Sequence, residues 1–183
     1  MKKLICLMLT LTLMLSLAAC GGRQPQTGDV TALDLLKNVW SSYSDSDKFP
    51  VIGGDYNSPV EDAPGACDVS KAEDLDSMLG IPAASVTQID EAAALTHMMN
   101  ANTFTAAACH RKSDTDADAF AKALRDNLMD RQWICGFPEK LMIYTVGSCT
   151  VSAFGAAELL DVFAARLTAC YGDAKLVYEE NIL

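Results

Sequence analysis

Apolar and polar residues follow two different periods along the chain, and each period predicts one kind of element. A spacing of three and four residues predicts helices, whereas a spacing of two predicts strands. The predicted helices are one that begins at Thr31 with a weak capping box and residues 70–79, 113–133 and 157–171. The predicted strands are residues 85–89, 103–111, 141–146 and 149–154.

A β-hairpin is the clearest of these elements, because Gly147 and Ser148 join two apolar runs. A glycine at the first position of a two-residue loop suits a type II′ turn. This turn sets Val146 opposite Cys149, so we expect Cys149 to be a core residue. The same register pairs two further sets of residues on that face, Tyr144 with Val151 and Met142 with Ala153.

The order strand, strand, helix, hairpin and helix predicts an α+β fold. We expect a two-layer sandwich, with an antiparallel sheet that includes the hairpin and with helices packed on one face. The polar stretch 44–68 contains the turn Gly53-Gly54-Asp55 and has few apolar residues. It is therefore interpreted as an ordered loop that lies over the core, and loops are frequent positions for function.

The first nineteen residues have the three parts of a secretory signal: Lys2 and Lys3, an apolar stretch, and small residues at its end. The apolar stretch is too short for a permanent membrane-spanning helix. It runs directly into Cys20, and the sequence Leu-Ala-Ala-Cys resembles the lipobox of bacterial lipoproteins. The resemblance implies that Cys20 receives a diacylglyceryl group and becomes the first residue after cleavage. Two acyl chains are enough for stable anchoring.

We therefore expect three regions along the chain. Residues 1–19 form a lipoprotein signal peptide, residues 20–28 a lipid-anchored flexible spacer, and residues 29–183 a single α+β domain. The domain is expected at the extracytoplasmic face of the cell membrane, which it contacts through the lipid on Cys20. A secreted protein with a chance cysteine at this position is the alternative.

Charge excludes one class of partner. Removal of the signal leaves 164 of 183 residues, and the loss of Lys2 and Lys3 leaves 12 of 14 basic side chains against 24 acidic ones, a net charge of −12. Nucleic acid and anionic headgroups would be repelled by this field, so we expect no nucleic-acid partner. A solvated acidic surface explains the charge, while a cationic ligand or a basic partner stays open.

Five cysteines remain once Cys6 and Cys20 are set aside, and five thiols cannot all pair within one chain. Their spacing is irregular and contains no Cys-x-x-Cys motif, so the sequence indicates neither a disulfide scaffold nor a thioredoxin-like site. We expect at most two bridges, and none is also compatible with the pattern because free cysteine is frequent in protein cores. The five residues are Cys67, Cys109, Cys135, Cys149 and Cys170.

An acidic run has the spacing of a calcium-binding loop at Asp114, Asp116 and Asp118. However, Ala119 stands where the loop requires glycine, and Arg125 stands where it requires a bidentate glutamate. The run is therefore interpreted as a stabilised helix N-terminus.

Soft-metal or thiol chemistry would need His97 with Met98 and Met99, or Cys109 with His110. Cys109 and His110 are adjacent on a predicted strand and point to opposite faces, so they cannot act as one unit. A pairing of His97 with Cys109 stays open. The sequence contains no nucleophile elbow and no zinc-protease helix, so we expect no cofactor, no metal site and no catalytic residue.

The chain resembles an uncharacterised family of small bacterial lipoproteins that is defined only as a domain of unknown function. The resemblance begins at the lipobox and is strongest over residues 89–171, and the family pattern differs at Phe137 and in its fewer cysteines. It implies a lipid-anchored α+β domain and supplies no activity. The motifs that carry it are His97-Met98-Met99-Asn100-Ala101, Arg131-Gln132-Trp133, Gly136-Phe137-Pro138, Gly147, and Phe49-Pro50 with Gly53-Gly54-Asp55.

Two functions fit these observations. The favoured one is a non-enzymatic binding or accessory module at the membrane surface, whose ligand is a protein, a peptide or a small molecule. The alternative is a thiol- or soft-metal-dependent activity that uses His97, Cys109 or His110. The distances among these three side chains separate the two hypotheses.

Overall fold

The computed structural model describes residues 29–182, so the predicted signal peptide, Cys20 and the spacer lie outside the described residues. Within this part of the chain, eight strands form one antiparallel sheet, which confirms the predicted α+β class. The helices are α1 (Ala32–Ser41), α2 (Ala72–Leu79), α3 (Ala117–Met129), α4 (Ala157–Cys170) and a 3-10 helix (Ala83–Gln88). The strands are β1 (Val51–Gly53), β2 (Val60–Glu61), β3 (Gly65–Cys67), β4 (Ile89–His97), β5 (Phe104–Arg111), β6 (Lys140–Val146), β7 (Cys149–Gly155) and β8 (Lys175–Asn181).

The strands lie side by side in the order β2-β1-β4-β5-β7-β6-β8, and β3 also pairs with β4. The predicted hairpin between β6 and β7 is confirmed, with Val146 opposite Cys149 and the two further pairs in register. Gly147 has a φ of +53°, the positive value that the first position of a type II′ turn requires. Cys149 is fully buried, as expected.

Helices cover both faces of the sheet, so the prediction that they pack on one face is wrong. One apolar cluster packs α1 and α4 against the face that carries Phe104 and Ala106. A second cluster packs α2 and α3 against the opposite face, which carries Ala107 and Cys109. The sandwich therefore has three layers instead of two. Both faces of β5 and β7 are buried, and so are the polar residues that these strands carry, Thr105, Thr150 and Ser152.

The predicted strand at residues 85–89 is also wrong. These residues belong largely to the 3-10 helix, because Pro82 begins a turn in which the N–H of Ser85 donates to the Pro82 carbonyl at 2.7 Å. The strand β4 begins only at Ile89 and continues to His97. His97 therefore ends a central strand, and the motif that it begins leads into β5.

The stretch 44–68 is more than a loop, because it contributes β1, β2 and β3 to the sheet. Val51 is fully buried and pairs with His97 at the end of β4. Strands of two or three residues are too short to show a period in the sequence. The edge strand β8 was likewise not predicted, and its residues are mostly exposed or half-buried.

Side chains cap the first turns of two helices. The Thr31 hydroxyl accepts the N–H of Asp34 at 3.0 Å at the start of α1. At the start of α3, the Asp116 carboxylate accepts the N–H groups of Asp118 and Ala119 at 3.0 and 2.9 Å. The acidic run is thus a helix cap, as its sequence indicates. None of the helices within residues 29–182 is both long enough and apolar enough to cross a membrane.

Candidate functional site

The structure separates His97 from Cys109 and His110, the other two residues of the thiol or metal hypothesis, which are neighbours on β5. Cys109 pairs with Ala92 and His110 pairs with Glu91, whereas His97 lies at the other end of β4. The five residue steps from Ala92 to His97 span about 17 Å of strand. Cys109 is buried, and this burial raises the pKa of its thiol far above the usual range. The described residues include no group of three or more His, Cys, Asp or Glu side chains that could hold a metal ion.

All five cysteines of the described domain have free thiols. Cys67 and Cys109 both pair with Ala92, one from each side, so two strand spacings separate them. This is about 9.6 Å, which is too far for a disulfide. Cys149 lies on the strand next to Cys109 and points to the opposite face of the sheet. The register therefore separates these thiols.

A cleft with a volume of about 410 Å³ lies at the end of the sheet where β4 ends. Its walls come from three places along the chain: the segment from β1 to Pro59, the segment 96–102 that ends β4 and follows it, and the end of α2 together with Arg131. The volume lies within the range of about 300–1,000 Å³ that is usual for small-ligand sites.

Flexible apolar side chains form part of the lining of this cleft, together with polar ones. Three of the five methionines in the described residues contribute to it, and they are Met78, Met98 and Met99. Met99 and Tyr56 are 81% and 67% exposed, which is unusual for large apolar side chains. Methionine adapts its shape to a ligand because it is unbranched and polarizable. The lining therefore suits apolar ligands of more than one shape.

The apolar surface continues onto a neighbouring loop. Of the seven large apolar side chains exposed in residues 29–182, five lie at this end of the sheet. Asn100 donates from Nδ2 to the Cys135 carbonyl at 2.9 Å, and Asn102 donates from Nδ2 to the carbonyls of residues 134 and 136 at 2.9 and 2.8 Å. These bonds hold the loop beside the cleft. The five exposed side chains are Tyr56, Met98, Met99, Ile134 and Phe137.

His97 has a fixed orientation at the cleft. Its Nδ1 accepts the N–H groups of Met99 and Asn100 at 3.2 and 3.4 Å, and its ring stacks on Phe49 with 5.5 Å between centroids. Because Nδ1 is an acceptor, the ring proton lies on Nε2. The imidazole therefore offers a hydrogen-bond donor at the cleft.

Asp55 supports the wall that begins at β1. It is only 6% exposed, and its carboxylate accepts the N–H groups of Asn57, Ser58 and Asp68 at 2.9, 3.0 and 2.8 Å. These hydrogen bonds, first the one from Asp68, lower the pKa of Asp55. The Asp55 carboxylate is thus fully hydrogen-bonded to backbone N–H groups, and these bonds fix the loop that carries Tyr56.

Arg131 lies at the opposite wall, just beyond α3. Its guanidinium donates to the carbonyls of Asp76 and Ser77 at the end of α2, and Nη1 lies 3.3 Å from the Ser77 oxygen. Its Cζ lies 5.5 Å from the ring centroid of Trp133. These contacts satisfy terminal carbonyls of α2 and orient the guanidinium plane at the cleft.

A separate cluster lies at the other end of the sheet. His110 contacts Asp90 through Nδ1 at 2.6 Å and Asp29 through Nε2 at 3.2 Å, and the Ser148 hydroxyl donates to Asp29. The hydrogen bond with Asp90 is the main cause of the raised pKa of His110, with a further contribution from Asp29. From Asp90 to His97, β4 spans about 23 Å. The first described residue is thus held at the end of the sheet opposite the cleft.

Sequence reasoning identified His97, Met98 and Met99 for their soft-donor chemistry, and the structure shows that they line the cleft. It did not identify Tyr56 or Arg131 as site residues, although both lie in or beside motifs that carry the family resemblance. The chain matches no family model, no curated protein and no solved structure.

Proposed function

We propose that this protein is a non-enzymatic binding module, anchored to the membrane through lipid on Cys20, that binds its ligand in the cleft at the end of β4. The ligand is a protein segment, a peptide or a small molecule with apolar groups. The observation that carries this proposal is the concentration of five exposed apolar side chains at one end of the sheet, three of them lining the cleft and two on the loop beside it. Contiguous apolar surface on a soluble domain marks an interaction site.

The position of Asp29 supports a membrane-bound arrangement. The spacer joins the domain at Asp29, which is bound to His110 and Ser148 at the end of the sheet opposite the cleft. A lipid on Cys20 would therefore leave the cleft directed away from the bilayer. The net negative charge favours the same arrangement, because anionic headgroups repel the domain.

Site-specific photocrosslinking in cells tests the cleft. A photoreactive amino acid at Met99 is expected to give a discrete adduct, because this side chain lies on the cleft and is 81% exposed. The same amino acid at Leu176, which is 41% exposed on the edge strand β8, is the matched control. Identical adducts at both positions, or no adduct at Met99, would contradict the proposal.

The anchor is tested by Cys20→Ser, which removes the thiol that accepts the diacylglyceryl group. We expect the variant to accumulate as an uncleaved precursor that incorporates no radiolabelled palmitate. Normal labelling of the variant would refute the assignment of Cys20.

A further inference from the structure

Arg131 retains unused hydrogen-bonding capacity at the cleft. A guanidinium has five N–H donors. Two of them donate to the Asp76 and Ser77 carbonyls, and a third, on Nη2, lies 3.5 Å from Asp76 Oδ1. Among the described residues, these contacts leave one N–H on Nη1 and the N–H on Nε without a protein acceptor. The Trp133 ring beneath the guanidinium fixes the plane in which these donors lie.

His97 adds a donor at the same cleft, because its Nδ1 is occupied by two backbone N–H groups and its proton lies on Nε2. The nearby carboxylates do not accept hydrogen bonds from all of these donors, because they are bound to other groups. Asp55 is bound by three backbone N–H groups, and Asp76 Oδ1 accepts Asn127 Nδ2 at 2.9 Å. An otherwise acidic domain thus presents a guanidinium and an imidazole N–H beside an apolar lining.

We propose that the cleft binds a small apolar molecule through its carboxylate, which Arg131 and His97 hold while the methionines contact its apolar part. This inference rests on the function proposed above and names the ligand class. Arginine suits this role because its guanidinium stays charged and either of the two remaining N–H groups can donate a charge-assisted hydrogen bond to a carboxylate oxygen. Two sources carry such chemistry, the free C-terminus of a short apolar peptide and a fatty acid.

Calorimetry with the full-length lipoprotein in nanodiscs tests the proposal, with empty nanodiscs as the blank. The probes are the peptide acetyl-Ala-Leu-Leu with a free carboxylate, the same peptide with a C-terminal amide, octanoate and octanamide. We expect an acid to bind at least about tenfold more tightly than its amide, as is usual for a charge-assisted contact. Preference for the peptide acid assigns the ligand to peptides, and preference for octanoate alone assigns it to fatty acids.

Two variants link this preference to Arg131. Arg131→Gln is expected to abolish the difference between acid and amide. Since Arg131 also binds the end of α2, a second variant keeps the side chain intact: Asp76→Asn removes the competing carboxylate and keeps an oxygen for Asn127. We expect Asp76→Asn to bind the acid several-fold more tightly and the amide equally well. Glu73→Gln, the same change of charge on an exposed residue of α2, is the matched control and should leave both affinities unchanged.

Equal affinity for acid and amide would overturn carboxylate recognition and leave the apolar cleft as a binding site. Absence of binding by all four probes would overturn the ligand class. The photocrosslinking experiment at Met99 decides separately whether the cleft binds a partner. An acid preference that Asp76→Asn and Arg131→Gln do not change would also overturn the role of Arg131.

Discussion

Replacement of Asp55 by asparagine tests how the cleft wall is held. The Asp55 carboxylate lies between β1 and β2 and accepts the N–H groups of Asn57 and Ser58 through Oδ1 and that of Asp68 through Oδ2. It therefore joins the loop that carries Tyr56 to the residue that follows β3. Asp55→Asn keeps nearly the same shape and removes the charge.

The expected loss follows from these three hydrogen bonds. Bonds to a charged group contribute about 1.5–3 kcal/mol each, whereas neutral ones contribute about 1 kcal/mol. The amide oxygen of the variant keeps two weaker bonds, and its Nδ2 faces the N–H of Asp68 as a second donor. We expect Asp55→Asn to lower the free energy of unfolding by about 3 kcal/mol, or roughly 10 °C in Tm for a domain of this size.

The loss should also depend on pH. Because the pKa of Asp55 is lower in the folded protein than its ordinary value of 3.8, the carboxylate stabilises the fold above that pH and this contribution is lost as the pH falls through the folded pKa. The difference between wild type and Asp55→Asn is therefore expected to be largest near pH 7 and to shrink in acid below about pH 4.

Urea unfolding at pH 7 and at acidic pH measures both effects. Asp45→Asn is the matched control, because Asp45 is exposed in the loop after α1 and should give a change close to zero. A loss below about 1 kcal/mol for Asp55→Asn would show that the backbone N–H groups find other acceptors, and it would refute this account of the wall.

Three other substitutions have definite expected outcomes. Gly147→Val should destabilise the domain by more than about 1 kcal/mol, because a β-branched residue tolerates positive φ badly, and an unchanged melting midpoint would contradict this. In the wild type, the raised pKa of His110 stabilises the fold below pH 6.5, the ordinary histidine pKa, and this contribution is lost as the pH rises through the raised pKa. His110→Gln should lack this pH-dependent contribution. Equal pH dependence of urea unfolding in both proteins would contradict the prediction. Native protein purified without chelator and the double variant Cys109→Ala with His110→Ala should both lack stoichiometric metal by mass spectrometry, and copper or zinc in the native protein alone would favour the metal hypothesis.

Local chemistry made part of the fold predictable. Gly147 at the start of a two-residue loop determined the register of β6 and β7, and Asp116 at the start of an apolar period identified the beginning of α3. Both signals act between near neighbours in sequence. The second helical layer was missed because the alanines of β4 and β5 are buried on both faces, and such a run does not indicate how many layers surround it.

The site was predictable only in its residue types. His97 and the two methionines after it stood out for their donor atoms, but their role depends on Tyr56 and Arg131, which lie far away in sequence. The short strand β1 brings Tyr56 to this position by pairing with β4, and two or three residues leave no periodic signal. Long-range pairing therefore assembled the cleft, and composition could not indicate it.

Because the native sheet separates the thiols, the rate of folding relative to the rate of disulfide formation matters for this domain. Cys67, Cys109 and Cys149 cannot pair once the sheet has formed. A disulfide that forms among them earlier is therefore incompatible with the native register. Sheet proteins fold in roughly milliseconds to seconds, whereas disulfides form over roughly seconds to hours. Under oxidising conditions, rapid assembly of β3, β4, β5 and β7 would protect the chain from mispaired disulfides, and a variant that assembles this part of the sheet more slowly would form more of them.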